Sequence, residues 1–170
     1  MNLRRATTSD APSLAQVHVD SWQVAYKGLV PDDFLQRFTY QKREEAFRAA
    51  IEARAEETYL AEVSDHAVGI LTIGASRDPD LDVRSCGEIW GIYVSPAYWR
   101  RGIGKRLAQE AERILLARGF RKIVLWVLEG NTAARSFYEA MGFCPDGASK
   151  VVNLGTSLNV IRYAKNYPQD

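Results

Sequence analysis

A chain of 170 residues is long enough to bury roughly 70% of the surface that its unfolded form exposes, so one ordinary hydrophobic core is expected. Hydrophobic residues make up 46% and charged residues 25%, a balance that excludes a disordered or fibrous chain. With 22 Lys and Arg against 21 Asp and Glu, the net charge of +1 offers no wide electrostatic footprint for nucleic acid, and any anion must be held by a local cluster.

One domain over residues 1–170 is expected, without repeat, linker or low-complexity tract. Met1 leads straight into NLRRATTSD, with no apolar leader core, and no run approaches the ~20 apolar residues of a membrane span. The expectation is therefore a cytoplasmic protein with no membrane and no nucleic acid among its partners. Cys86 and Cys144 are too few for a disulfide framework. With His18 and His66 they show no metal-ligand spacing, so these residues read as structural and no metal is expected.

The segment NLRRA suits a short first strand. TTSDAPSLAQVHVDSWQVAYKG then reads as a helix capped by Ser9, with Pro12 in its first turn and Leu14, Val17, Trp22 and Ala25 near helical period. Gly28 and Pro31 end it. A short helix in PDDFLQRF precedes a longer one in TYQKREEAFRAAIEAR, the latter capped by Thr39 and rich in helix formers. TYLAEV and VGILTIGA form a hairpin about SDHA. Pro79 and the neighbouring aspartates make SRDPDLDVRSCG an exposed loop. EIWGIYV is the next strand, and Gly91 inside it marks a bulge or a close backbone approach. A helix from about Gly104 to Arg118, the continuous apolar strand KIVLWVL, the helix in NTAARSFYEAMGF and a hairpin turning at Gly155 complete the order. Alternation in the middle and hairpins at the ends predict an α/β architecture, a mixed central sheet of about seven strands with helices on both faces.

The chemistry concentrates in IYVSPAYWRRGIGKRLAQEAERIL, where an apolar strand passes through a glycine-basic turn into a helix. Ile103, Leu107, Ala111, Ile114 and Leu115 share one apolar face, so the helix has a packing reason to exist regardless of function. A helix start also carries unpaired amides and partial positive charge, and glycines let a phosphate reach them. Arg100, Arg101, Lys105 and Arg106 surround Gly102 and Gly104, and a phosphate or pyrophosphate site is the sharper reading. A dinucleotide fingerprint fails because Leu107 stands at the third glycine position and SPAYWRR replaces a tight turn. The P-loop spacing fails as well.

WRRGIG resembles the [QR]-x-x-G-x-[GA] pyrophosphate motif of the GNAT superfamily of acetyl-CoA-dependent N-acetyltransferases, with Trp99 in place of the usual Gln or Arg. NTAARSFYEAMGF is similar to that family's N-x-x-A-x-x-F-Y-x-x-x-G-F element, and the two signatures together span Glu88 to Phe143. The resemblance implies a sheet splayed between its fourth and fifth strands, with acetyl-CoA as cosubstrate. The amides of Arg101, Gly102, Ile103, Gly104 and Lys105 would cradle the pyrophosphate, with Arg100 replacing the missing side-chain contact. Ile92, Tyr93 and Val94 would line the pantetheine arm, Ile92 and Val94 through backbone groups, and Asn131 and Ala134 would face it from the second element.

The resemblance further implies acetyl transfer to a primary amine by direct attack in a ternary complex. Tyr138 would act as general acid, since a phenol of pKa about 10 can protonate a leaving thiolate at modest cost. Glu88 matches the glutamate of E-I-x-x-x-x-V in histone-type members and is the candidate base; a surface glutamate at a strand start is the alternative. Ser21 to Leu35 resembles a bacterial branch that includes small-amine, polyamine and phosphinothricin-type acetyltransferases. Trp22, Tyr26 and Phe34 would wall the acceptor pocket, or else belong to the core; Asp78, Asp80 and Asp82 read first as solvated loop charges, with attraction of a cationic amine as the functional alternative. A small amine is the expected acceptor, and a homodimer is compatible with this reading. The alternatives are a protein or peptide N-acetyltransferase and a non-catalytic CoA-binding module.

Overall fold

The computed structural model describes residues 1–168, so the last two positions of the expected domain 1–170 lie outside the described residues. Strand β1 (Asn2–Arg5) is followed by helices α1 (Ala11–Ala25), α2 (Asp32–Leu35) and α3 (Tyr40–Glu52). The hairpin β2 (Glu57–Val63) and β3 (His66–Ala75) leads to β4 (Cys86–Val94), α4 (Ile103–Ala117) and β5 (Lys122–Leu128). Helix α5 (Thr132–Ala140) and the hairpin β6 (Cys144–Asn153) and β7 (Ser157–Asn166) complete the order. Strands β4 and β6 begin earlier than the sequence pattern suggested, because Cys86 and Gly87 pair with Lys122 and Ile123, and Cys144 with Ala164.

The strands form one seven-stranded sheet in the order β1-β2-β3-β4-β5-β7-β6. Its neighbours are antiparallel except β4 and β5, which run parallel because α4 carries the chain back across the sheet. Ile70 and Leu71 are adjacent in β3 and both fully buried on opposite faces, the mark of a sheet covered on both sides. Leu107, Ala111 and Leu115 of α4 pack with Tyr138 and Phe143 on one face. Leu14 and Val17 of α1 pack with Phe47 of α3 on the other.

Two local expectations are corrected. Ser9 does not cap α1; a short 3-10 turn at Thr8–Asp10 precedes it, and Asp10 turns back to accept from the Thr7 amide at 2.7 Å. Asp10 is the better acceptor because Arg4 also holds its carboxylate, at 2.8 Å. The irregularity in β4 falls at Trp90, not Gly91: Thr72 faces Gly91 and Ile73 faces Ile89, leaving Trp90 as the extra residue.

The pairing of β4 with β5 stops at Ile89 and Leu125. From Trp90 to Val94 the strand is held by β3 alone, so the two central strands splay apart beyond that rung. This opening between the fourth and fifth strands positions the site.

Candidate active site

The glycine turn closes one end of the splay. A 3-10 turn at Pro96–Tyr98 follows β4, and Gly102 sits at the start of α4 with φ of 78°, a left-handed conformation that costs glycine nothing. Arg106 is the first residue to donate into the helix, to the Gly102 carbonyl at 3.1 Å. The amides of Arg101, Gly102, Ile103, Gly104 and Lys105 have no acceptor among the described residues. None of Arg100, Arg101, Lys105 and Arg106 forms an ion pair among them either. Free donors and unneutralised cations on one turn suit a pyrophosphate. A Cβ at Gly104 would stand 3.6 Å from the Phe137 ring and 3.9 Å from Val94, ordinary contact distances, so packing against α5 and the open strand does not by itself require glycine here.

Trp99, the departure from the motif, has a function of its own here. Its indole N–H donates to the Val94 carbonyl at 2.6 Å and ties the turn to the end of β4. One of the backbone acceptors expected to face a pantetheine arm is therefore already engaged. Asn131 and Ala134 are likewise bonded to each other, the Asn131 side-chain carbonyl accepting from the Ala134 amide at 3.1 Å as the cap of α5. The side-chain N–H2 of Asn131 makes no hydrogen bond among the described residues.

Tyr138 reaches the gap from the α5 side, its ring edge-on to Phe137 at 5.0 Å and to Phe143 at 6.1 Å. Tyr26, the residue that caps the end of α1, and Tyr93 of β4 come from the opposite side. Burial raises the pKa of all three phenols, and Tyr138 and Tyr26 are raised further by the neighbouring tyrosine hydroxyls. The three hydroxyls thus feel one another's charge across the splay, where β4 and β5 are no longer paired. The Tyr138 hydroxyl makes no hydrogen bond among the described residues, so it is a protonated donor without a partner. Gly91 accommodates this convergence: a Cβ there would stand 2.7 Å from the Tyr93 ring.

Glu88 is not a surface residue. It is 1% exposed, and strand alternation puts its side chain opposite Ile89, on the α1 side of the sheet. Arg77, from the β3–β4 loop, donates to its carboxylate from the backbone amide at 2.9 Å, from Nε at 3.3 Å and from a guanidinium Nη2. The guanidinium lies 4.2 Å over the Trp90 ring. Nothing in the sequence marked Arg77, because the pair depends on a loop folding back over the strand.

The loop aspartates are not free to attract an amine. Arg162, only 5% exposed, donates to Asp80 at 2.8 Å and to Asp78 at 3.3 Å, and it also holds Asp146 at 2.8 Å. Asp78 further accepts from the Trp126 indole at 2.9 Å, and Asp82 accepts from the Arg84 amide at 3.0 Å. Of the expected acceptor-pocket residues, Trp22 and Tyr26 lie with tilted rings 4.5 Å apart, and Trp22 stacks on Phe38 at 4.4 Å. Phe34 packs on Gly155 of the β6–β7 turn, in the same apolar cluster as Trp22 and Tyr26. Sequence reading passed over His18 as structural: it lies 4.5 Å from the Tyr93 ring, and its Nδ1 is buried without a partner. Burial, with a smaller contribution from the Arg43 cation, lowers its pKa to about 3.

The family model for the acetyltransferase (GNAT) family matches residues 19–143, which contain the splay, the glycine turn and Tyr138. The chain belongs to the GNAT acetyltransferase family. The GNAT relatives include the uncharacterized N-acetyltransferase YuaI of Bacillus subtilis, 28% identical over 82% of this chain and 78% of its own. The spermidine N(1)-acetyltransferase of Thermoplasma acidophilum is 26% identical over 84% of this chain and 88% of its own. Among solved GNAT structures, the PaiA N-acetyltransferase of Thermoplasma acidophilum, in complex with coenzyme A, superposes with a TM-score of 0.78 at 22% identity, covering 98% of each chain. YncA of Salmonella typhimurium, with acetyl-CoA, covers 100% of this chain and 95% of its own, at a TM-score of 0.73 and 18% identity. These likenesses agree with the mixed sheet and flanking helices seen here. Among the described residues no helix is long and apolar enough to cross a membrane.

Proposed function

We propose that the protein transfers the acetyl group of acetyl-CoA to a primary amine of a small molecule, by direct attack within a ternary complex. The observation that carries this reading is the turn of unpaired amides at Arg101 to Lys105 opening beside a splay that holds an unpartnered phenol. Those amides, with Arg100 nearby, would hold the pyrophosphate, and the open edge of β4 at Ile92 to Val94 with the Asn131 amide would hold the pantetheine arm. The bound cosubstrate supplies an activated acyl thioester. Everything else in the step falls to the chain's own side chains.

As the new C–N bond forms and the C–S bond breaks, Tyr138 donates its proton to the departing sulfur and is reprotonated by the second proton that the nitrogen sheds on becoming an amide. Its raised pKa keeps that proton in place at neutral and mildly alkaline pH. Glu88 accepts the proton that the acceptor ammonium must lose, directly or across a water, and Arg77 fixes the position of its carboxylate. A relative named for spermidine supports a small amine as acceptor.

The test is a panel of amines, amino acids, aminoglycosides and peptides with release of free CoA as readout, run on the wild type and on Tyr138→Phe. A small amine should be acetylated, with turnover falling about 100-fold in the variant, the lower range for loss of a general acid, and little change in acetyl-CoA affinity. Tight binding of acetyl-CoA with no acetylation of anything would make the protein a CoA-binding module instead.

A further inference from the structure

We infer that the proton released by acetyl transfer leaves the site along a row of hydroxyls, Tyr93, Thr72 and Thr58, that crosses three strands and ends on the carboxylate of Glu56. The inference rests on the transferase reading above and deepens it.

Transfer to an ammonium sets free one proton overall, the one the acceptor loses before attack. Glu88 is poorly placed to pass it to water, since it is 1% exposed and donors from Arg77 engage both of its oxygens. The same side of the sheet holds a second carboxylate, reached through hydroxyls. Thr58 of β2 pairs with Thr72 of β3, and Thr72 with Gly91 of β4, so the three form one row across adjacent strands. Strand alternation puts both threonines on the face of Leu60 and Ile70, beneath α1 and α3. They are 3% and 6% exposed, and their Oγ1 atoms lie 3.2 Å apart. Thr58 Oγ1 is also 3.2 Å from Oε1 of Glu56. Tyr93 tops the other end of the row, its hydroxyl 3.1 Å from where a Cβ of Gly91 would stand.

Proton count sets the direction of these bonds. An ionised carboxylate only accepts, so Thr58 donates to Glu56; Thr58 has no second proton, so Thr72 donates to Thr58 and keeps its lone pairs for a donor from the Gly91 side. Neighbouring strands are about 4.8 Å apart, so one water spans the step from the Tyr93 hydroxyl to Thr72. In turnover Tyr93 takes a proton from the acceptor nitrogen, or from Glu88 acting for it, and gives its own toward Thr72. Thr72 passes one to Thr58, and Thr58 passes one to Glu56. Each hydroxyl ends with a single proton, and the net change is one proton moved from nitrogen to Glu56.

Glu56 suits the outer end. It forms no ion pair among the described residues. With Thr58 it lines a cavity of about 540 Å³ that reaches solvent at the exposed Thr7 and Arg54. The titratable groups that face it are Arg5 of β1 and Arg54 after α3, which share the cavity, and Arg43 of α3 and Tyr93, which feel its charge.

The acceptor for the experiment is whichever member of the panel above, with spermidine, putrescine and glycine included, the wild type acetylates fastest. Turnover is measured below that amine's pKa in dilute buffer. Glu56→Gln and Thr58→Val should each lower kcat about tenfold, less than loss of a general acid because water partly replaces a relay, with KM for acetyl-CoA unchanged. The loss should shrink as imidazole, a small base that fits the cavity, is added, and as rising pH deprotonates the amine. Thr58→Ser, which keeps the hydroxyl, should retain most of the activity. If Thr58→Val fails to fold, Glu56→Gln decides alone. Unchanged kcat in Glu56→Gln, or a loss that neither imidazole nor pH relieves, overturns the relay while leaving acetyl transfer standing. Bound acetyl-CoA with no member of the panel acetylated overturns both.

Discussion

Gly104 offers the sharpest test of the cosubstrate turn, because two substitutions there separate packing from charge. Its missing Cβ would meet the Phe137 ring at 3.6 Å and Val94 at 3.9 Å, both ordinary contact distances, so alanine fits. Gly104→Ala also removes a helical glycine, stabilising the chain by about 0.5–1 kcal/mol and raising Tm by about 1–4 °C. Its acetyl-CoA affinity should stay near wild type, since the amides of the turn remain exposed. Gly104→Glu starts from the same Cβ but brings a carboxylate to within a few ångströms of the site of the pyrophosphate. Two like charges about 4 Å apart repel by about 1 kcal/mol in water and about 4 kcal/mol near a protein surface. The arginines and lysine beside the turn are exposed, so the local dielectric is high and about 1–3 kcal/mol is expected, a weakening of about 5- to 150-fold. Calorimetric titration of acetyl-CoA into each variant, with thermal melts as a folding control, measures both effects. The loss in Gly104→Glu should shrink as salt is raised. A folded Gly104→Glu protein that binds acetyl-CoA as tightly as Gly104→Ala would refute the assignment of this turn.

Glu88→Gln should depress turnover most at low pH, where the acceptor amine is protonated, and progressively less as rising pH deprotonates the amine unaided; a pH-independent loss would assign Glu88 to positioning alone. Because the folded-state pKa of His18 is depressed to about 3 while unfolded histidine titrates near 6.5, the unfolded chain binds a proton below pH 6.5 that the folded chain refuses. Stability should therefore fall with pH through that window, and between pH 7 and pH 5 His18→Leu should lose about 1–2 kcal/mol less than wild type in denaturant titrations. Arg162→Met strips the buried cation shared by Asp78, Asp80 and Asp146, leaving Asp78, 6% exposed, with Lys150 alone, and should cost about 3 kcal/mol, seen as a Tm about 10 °C lower. An unchanged melt would mean that the β3–β4 loop is held by other contacts. Spectrophotometric titration of wild type against Tyr138→Phe should show one fewer tyrosine ionising, and only far above pH 10, given the raised pKa of Tyr138.

Several features of the site are local properties of the chain, and these were legible from residue order. The free amides before Arg106 follow from any helix start, and the left-handed turn at Gly102 from its lack of a side chain. The buried face at Leu107, Ala111 and Leu115 follows from spacing within the helix, and Thr39 caps α3 through a bond to the Lys42 amide at 3.3 Å, only three residues on. Each depends on neighbours within a turn or two, so periodicity and residue type carry the information.

The fate of the charged and aromatic side chains does not reduce to spacing. Glu88 and Arg77 are 11 residues apart, and Arg162 lies 82 residues from Asp80 and 84 from Asp78. In the sequence those aspartates read as free loop charges. Folding brings them onto a buried guanidinium, because burying Arg162 under the loop requires carboxylates to balance it. The bulge fell on Trp90 instead of Gly91 because the position of a bulge is set by the register against β3. Tyr26 follows α1, Tyr93 lies in β4 and Tyr138 in α5, on two faces of the sheet, and their hydroxyls feel one another's charge across the gap that β4 and β5 leave after Ile89 and Leu125. Where two strands separate is decided by what packs on both sides of them, which residue order alone does not state.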